Sequence, residues 1–447
     1  MTKKLKELCK KASEIIQSFP KDTKIRVISH YDADGITAAS IMCKALHRAG
    51  YNFHASLMRN PFDKGLARVS KEDNDLIIFL DMGLGQINTI EKMNCKCIIV
   101  DHHQFLKEKT SENVLQIAAH LCGINGNYEA CGSTLTFLLA KALDPKNKDL
   151  VGLALIGANG DKQYIGGFRG YNKDVIDEAL KDGLIKENVG IKIYGENLSN
   201  ALYYSIDPYF SGISGNKKAI SDLLGKLELN KDTEFEDLNN EEIKKLQSSL
   251  MLVLIEKKLE QNILDTVIRP RYYSDSIGYE FERFSDLIDS CGKGGNRGLG
   301  FSVAMGDKES IKKAFEHEKE YKQKILDELL RLEEEGFQEK KSIRYFYSNE
   351  SSLGGVIGGI AMNYILDCEK ALLSVVKKDD ELHVSCRGTQ YLVKKGLDLG
   401  SAMKVARDKF NGHGGGHAIA AGATISSDKE KEFLDLVDSI ISKQLKG

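Results

Sequence analysis

Three short motifs in this chain carry the residue types that bind divalent metals and handle phosphate. They are Ser29-His30-Tyr31-Asp32-Ala33-Asp34-Gly35, Asp81-Met82-Gly83 and Asp101-His102-His103. Two carboxylates as close as Asp32 and Asp34 repel each other, and divalent cations relieve that repulsion. Asp81 can bridge two such ions. His102 offers a nitrogen ligand, which favours Mn2+ over Mg2+ held by oxygen alone. Asp161, ending Gly157-Ala158-Asn159-Gly160-Asp161, can close the ring. Two metals about 3.5–4 Å apart lower the pKa of a bridging water and hold a phosphate in line for attack. His103 is then left to hydrogen-bond a phosphate oxygen or to act as an acid on the leaving group. The plainer reading of Asp32 or Asp34, taken alone, is a helix cap.

A second group lies far downstream, in Gly412-His413-Gly414-Gly415-Gly416-His417. Consecutive glycines let backbone N–H groups approach an anion, and His417 adds a donor. Arg387 can reach the same anion through its planar fork. Taken alone, the glycines read equally well as a plain turn, and Arg387 as a surface arginine.

The elements that position these residues follow from hydrophobic period. Apolar β-type runs at 25–28, 76–80 and 97–100 precede the three acidic motifs. The motifs therefore fall at the carboxyl ends of strands, where open α/β sheets bind ligands. If the first strand extends through residue 34, Asp32 and Asp34 share one face. Helices over 36–48, 131–143 and 150–158 and a strand near 53–57 complete a βαβ rhythm. It predicts a mainly parallel sheet in a domain over 1–164. Residues 165–307 read as a mostly helical insert, interrupted by a flexible glycine-rich loop at 292–298. Residues 308–338 read as a charged, solvated connecting helix. Residues 339–447 return to α/β alternation. Strands are expected at 343–347, 371–376 and 382–386, with helices at 354–366 and 399–410.

Composition narrows the class. With 63 basic and 65 acidic residues in 447, the net charge is −2, so nucleic-acid binding must rest on a local groove. Nine cysteines without regular spacing favour reduced thiols over a zinc ribbon or a disulfide framework. Residues 1–19 are lysine-rich and amphipathic, without the apolar core of a signal peptide. No run approaches a transmembrane helix. A cytoplasmic protein with no membrane partner is expected.

The motif set resembles the DHH phosphoesterase superfamily, with Asp101-His102-His103 as its naming triplet. Gly414-Gly415-Gly416-His417 resembles the signature of the DHH-associated C-terminal domain. The form Tyr31-Asp32-Ala33-Asp34-Gly35 is most similar to RecJ-type single-strand exonucleases. The length and helical insert resemble their archaeal relatives. Asp289-Ser290-Cys291-Gly292-Lys293 departs from the Asn-Ala-Cys-Gly-Arg usual at a matching RecJ element. The resemblance implies that Asp32, Asp34, Asp81, His102 and Asp161 hold two Mn2+ or Mg2+ ions. Asp81 bridges them, His30 is a candidate further ligand, and His103 contacts the scissile phosphate. It also implies that Arg387, Gly414, Gly415, Gly416 and His417 bind phosphate from a smaller C-terminal domain, across a cleft. The implied activity is hydrolysis of single-stranded DNA or RNA to nucleoside 5′-monophosphates, in replication or repair. Two alternatives stand beside it. One is a phosphodiesterase for short oligonucleotides or cyclic dinucleotides, and the other a replisome component that binds GINS and the replicative helicase.

Overall fold

Short apolar runs alternating with helices build a five-stranded sheet in the first part of the chain. The strands are β1 (Ile25–His30), β2 (Phe53–Met58), β3 (Leu76–Leu80), β4 (Lys96–Asp101) and β5 (Val114–Ala118). The structure is a computed structural model that describes residues 2–59, 62–257, 259–349, 353–367 and 369–445. The strand order is β2-β1-β3-β4-β5, and every neighbouring pair is parallel. Strands buried on both faces read as unbroken apolar runs, and all of β3 is buried. β1 lies between β2 and β3, so connections leave it in opposite directions across the sheet. Such a switch point opens a crevice at the strand ends.

Helices Ala33–Arg48, Gly132–Leu143 and Val151–Gly160 pack on one another. Their apolar side chains, Ile36, Ile41, Leu135 and Leu155 among them, share one core with Val27 and Ile78 of the sheet. Ile77, Phe79 and Ile99 point into a second core with Leu84 and Ile87. The Val151–Gly160 helix is apolar all round, as a helix enclosed by others must be.

Two compact units emerge, and both are discontinuous in sequence. One comprises Met1–Gly190 with Arg269–Glu318, the other Ile191–Ile268 with Lys319–Gly447. Residues 165–307 are thus divided between the units. Strands β6 (Lys186–Ile191) and β7 (Ile268–Tyr273) form a two-stranded sheet there. The flexible loop expected at 292–298 is largely helix. Phe281–Lys293 runs through Gly292, and Arg297–Met305 follows after three residues. The glycine serves close packing instead of a turn: a Cβ on Gly292 would lie 2.1 Å from the Tyr31 carbonyl oxygen.

The Lys308–Glu335 helix is not solvated throughout. In the second unit it buries Ile325, Leu329 and Leu332, an apolar stripe at helical spacing. That unit also holds a six-stranded sheet of β8 (Gln338–Glu339), β9 (Ile343–Tyr347), β10 (Ala371–Lys378), β11 (Glu381–Arg387), β12 (His413–Gly416) and β13 (Ala420–Ser426). The order is β12-β13-β11-β10-β9-β8. Only β9 and β10 run parallel among the paired strands. The plain-turn reading of 414–417 is corrected here, because 413–416 is an edge strand. Its glycines answer to crowding. A Cβ on Gly414 would lie 2.7 Å from the Gly422 carbonyl oxygen, and one on Gly416, at φ 145°, would lie 2.5 Å from that of Ala420. Among the described residues no helix is long and apolar enough to cross a membrane.

Candidate metal and phosphate site

β1 stops at His30, and the chain turns at once into the Ala33–Arg48 helix. A Cβ on Gly35 would lie 2.5 Å from the His30 carbonyl oxygen, so only glycine permits so tight a turn. Asp32 is the N-cap of the helix, its Oδ1 accepting from the Gly35 N–H at 3.1 Å. Asp32 and Asp34 therefore do not alternate along a strand. Asp32 caps, and Asp34 sits buried in the first helical turn. Capping uses one oxygen of Asp32, while the other lies 2.8 Å from His30 Nδ1.

Asp34 is fixed from a second helix. Its Oδ2 accepts from the Gly132 N–H at 2.6 Å and its Oδ1 from the Ser133 N–H at 2.8 Å. These are N–H groups that a helix start leaves without intrahelical partners. Gly132 and Gly157 make room for the carboxylate. Added Cβ atoms would lie 2.9 Å from Asp34 Oδ2 and 2.6 Å from Asp34 Oδ1, respectively. Burial, helped by the nearby Asp81 charge, pushes the Asp34 pKa up to about 6.

Asp81 follows β3 in the left-handed region, at φ 54°, and its N–H donates to the Val100 carbonyl at 2.9 Å. Few residues other than glycine adopt that conformation, and it costs about 1–3 kcal/mol. Asp101 closes β4 and is engaged three times over. It accepts from the Leu84 N–H at 3.1 Å, the His103 N–H at 3.1 Å and His103 Nδ1 at 2.8 Å. Asp101 is thereby committed to orienting His103, whose side chain is 42% exposed. Burial works to raise the Asp101 pKa, but His103 and His102 hold it well below the usual carboxylate range.

His102 shows most clearly what the cluster lacks. Its Nδ1 lies 2.6 Å from the Gly126 carbonyl oxygen, which can only accept, so Nδ1 carries the proton. Nε2 then presents its lone pair to Asp81 Oδ1 at 3.2 Å, Asp161 Oδ2 at 3.3 Å and Asp34 Oδ2 at 3.9 Å. Asp81 Oδ1 and Asp161 Oδ2 are buried without a hydrogen bond. Such atoms are rare in folded proteins and mark a missing partner. A cation fits that place. Without one, a proton is the alternative positive charge. Burial opposes that proton, yet Asp161, Asp81 and Asp34 together raise the His102 pKa well above its usual value. Asp161, at the end of the Val151–Gly160 helix, is itself pushed well up by burial and by Asp34.

Three overlapping triads result: His30-Asp32-Asp81, Asp81-His102-His103 and Asp34-His102-Asp161. Within each, one ligand atom per residue lies within 4.8 Å of the others. Asp81 and His102 each belong to two of them. All six positions picked from the sequence as metal ligands, with His103, thus converge at the carboxyl ends of β1, β3 and β4.

The surroundings add residues that sequence patterning missed. Arg59 and Arg297 each stand 5.6 Å from the Tyr31 ring centre. Asp289 accepts from the Ala33 N–H at 3.3 Å and is ion-paired with Lys293, whose charge reaches Asp32. Of the missed residues, Gly132 and Ser133 carried a readable signal, since they open an apolar helical run. Arg59 and Arg297 carried none.

In the second unit, Arg387 ends β11 opposite Ala420, and Gly416 stands opposite Ala421 on the other side of β13. The sheet thus brings Arg387 and the glycine strand to one end of β13. His417 follows, exposed, its N–H donating to the Ala420 carbonyl at 2.8 Å. Gly355 makes room for the guanidinium, since a Cβ there would lie 2.4 Å from Arg387 Nη2.

Residues 24–158 match the family model of the DHH family, N-terminal domain, and residues 343–443 match the DHHA1 domain. An uncharacterized protein of Methanocaldococcus jannaschii is 30% identical over 454 residues, covering 100% of each chain. RecJ from Thermus thermophilus, solved in complex with Mn2+, is 15% identical with a TM-score of 0.61. The alignment takes in 99% of this chain and 55% of that one, so this chain spans about half the length of that RecJ. A second structure of the same RecJ holds Mg2+, with a TM-score of 0.54 at 15% identity, over 99% of this chain and 53% of that one. CDC45 from Entamoeba histolytica is 12% identical with a TM-score of 0.68, over 98% of each chain. At these identities the structural likenesses are likenesses of fold.

Proposed function

This chain belongs to the DHH family, with the RecJ-like pairing of DHH and DHHA1 domains, and on that premise we propose that it is a metal-dependent exonuclease for single-stranded DNA or RNA. DHH proteins are phosphoesterases, and the strand-end cluster supports metal-dependent phosphoester hydrolysis. One observation carries the reading. His102 Nε2 and two carboxylate oxygens without hydrogen bonds face one another in a buried space. Asp32, Asp34, Asp81, His102 and Asp161 would hold two divalent cations, with Asp81 shared and His30 beside it. RecJ is known with Mn2+ and with Mg2+, and the imidazole ligand favours Mn2+ here. When bound, the ions supply Lewis acidity that activates water and offsets phosphate charge.

The protein's own groups do the remaining work. Asp101 accepts from the Nδ1–H of His103 and, against the effect of burial, favours the imidazolium form, whose Nε2–H can donate to a phosphate oxygen or the departing oxygen. Tyr31, with Arg59 and Arg297 beside its ring, offers a surface on which a base can stack and its phosphates pair. Arg387, Gly414, Gly415, Gly416 and His417 take further substrate phosphates. The products would be nucleoside 5′-monophosphates, in replication or repair.

Digestion of 5′- and 3′-labelled DNA and RNA strands tests the reading. Stepwise products that need Mn2+, and that vanish with EDTA or in Asp81→Ala, are expected. Cleavage of dinucleotides alone would replace it by the short-substrate reading, and inactivity on both would overturn both. The full-length likeness to CDC45 favours one further reading, a replisome component that binds GINS and the helicase. Under it, Asp34→Ala would leave GINS capture intact, and failure of the intact protein to capture GINS would dismiss it.

A further inference from the structure

A cavity of about 400 Å³ lies on the far edge of the parallel sheet, between the Lys3–Ser18 helix and the connection from β4 to β5. Its aliphatic lining is Leu8 and Ile15 of the helix with Leu115 of β5, which pack against one core and form the floor, and beside them Val114 and Leu121, which pack against another. Its rim is cationic, with Lys4, Lys11, Lys96 and Lys109 against Glu108 and Glu112. Among the described residues, Lys4, Lys11 and Lys109 pair with no carboxylate, and Lys96 donates to the Glu112 carbonyl at 2.6 Å. The four ammonium groups outnumber the two carboxylates of the lining, which leaves the mouth net positive and suited to an anion.

The wall that carries Lys109 is braced. Gln116, 6% exposed, donates from Nε2 to the carbonyls of Lys107 at 3.2 Å and Glu108 at 2.5 Å. Thr110 Oγ1 donates to the Val114 carbonyl at 2.9 Å, and the Ser111 N–H to Glu91 at 2.8 Å. Lys107 is ion-paired with the same Glu91. The cavity therefore exists before any ligand arrives, and its size is within the range of small-molecule sites.

We propose that this cavity binds a small phosphorylated molecule, its phosphate held by the rim lysines and its apolar or planar body laid on the aliphatic floor. Lysine suits a phosphate that needs charge more than a fixed fork. The cavity wall is the same connection that begins at His102 and His103. The assignment stands on the cavity alone and does not depend on the exonuclease reading.

Equilibrium binding of adenosine 5′-monophosphate and of inorganic phosphate, both in EDTA, tests it. Four proteins are compared: the wild type, Lys4→Glu/Lys109→Glu, Lys11→Gln and Asp81→Ala. Saturable nucleotide binding is expected in the wild type and equally in Asp81→Ala. Affinity should fall at least tenfold in the charge-reversed variant, fall less in Lys11→Gln, and weaken with salt. Loss in Asp81→Ala, indifference to both lysine changes, or no saturation in the wild type would each overturn the proposal. Inorganic phosphate bound as tightly as the nucleotide would overturn the role given to the aliphatic floor.

Discussion

At the scale of single residues, the cluster divides into atoms that would meet a cation and atoms that hold those atoms still. Asp101 belongs to the second kind, since its hydrogen bonds go to His103 and to Leu84. Asp101→Asn should lower hydrolysis by about 10–100-fold, the usual effect of losing such support, and leave Mn2+ affinity nearly unchanged. Parallel activity assays and metal titrations check it. A second expectation concerns pH. Asp34, raised to about 6, and His102, raised well above its ordinary value, bind protons more tightly folded than unfolded. Their contribution to stability is present at low pH. It is lost as pH rises, first through the Asp34 range near 6 and then through that of His102. Metal-free protein should therefore melt a few degrees lower at pH 7.5 than at pH 5.5. Saturating Mn2+ should reverse that order, because deprotonated ligands bind it better. Thermal melts with and without metal at both values decide. The residue types of the cluster were legible in the sequence because aspartate and histidine at strand ends are informative by identity. His102 was taken as a ligand and Asp101 left out of the ligand set, but the orienting role of Asp101 was not legible, because it depends on hydrogen bonds to His103 that the fold sets.

At the scale of elements, two helix starts and three strand ends do the positioning. Asp32 and Asp34 do not alternate along one strand, as strand spacing would have placed them. Period-two reasoning assumes a continuing strand, while Gly35 turns the chain so tightly that β1 ends at His30. The plain helix-cap reading was correct for Asp32 and incomplete for Asp34, which is held by the start of a different helix. Gly292 and Gly414 misled in the same way, as glycine marks close packing as readily as a turn. These approaches can be tested. Gly132→Ala would put a Cβ 2.6 Å from that of Asp81. It should destabilise the protein by about 1–3 kcal/mol and weaken Mn2+ binding more than Gly50→Ala does. Gly50 provides a control with open space around it, though its φ of 80° carries its own strain. Denaturant unfolding and metal titration of both variants check the difference.

At the scale of the whole molecule, the order of the motifs was legible and the discontinuous units were not. Strand periodicity reports neighbours along the chain, and nothing in 165–307 announces that 269–318 returns to the first unit. A net charge of −2 advertises no nucleic-acid partner, so under the proposed exonuclease function a strand substrate would be met by local cations such as Arg59, Arg297 or Arg387. Binding of a long single strand should accordingly weaken steeply with salt, the log–log slope counting phosphate contacts. Arg387→Ala should make that slope shallower by about one contact, as measured by fluorescence anisotropy across salt concentrations. The most direct test of the central claim, that the β1, β3 and β4 ends form one two-metal hydrolytic site, is a Mn2+ titration of wild type and Asp81→Asn, with hydrolysis of a single strand followed at every point. Expected is binding of two ions per wild-type chain, hydrolysis rising with occupancy, and loss of both in Asp81→Asn. Hydrolysis that persists in stripped protein, or two ions bound undiminished by Asp81→Asn, would contradict it.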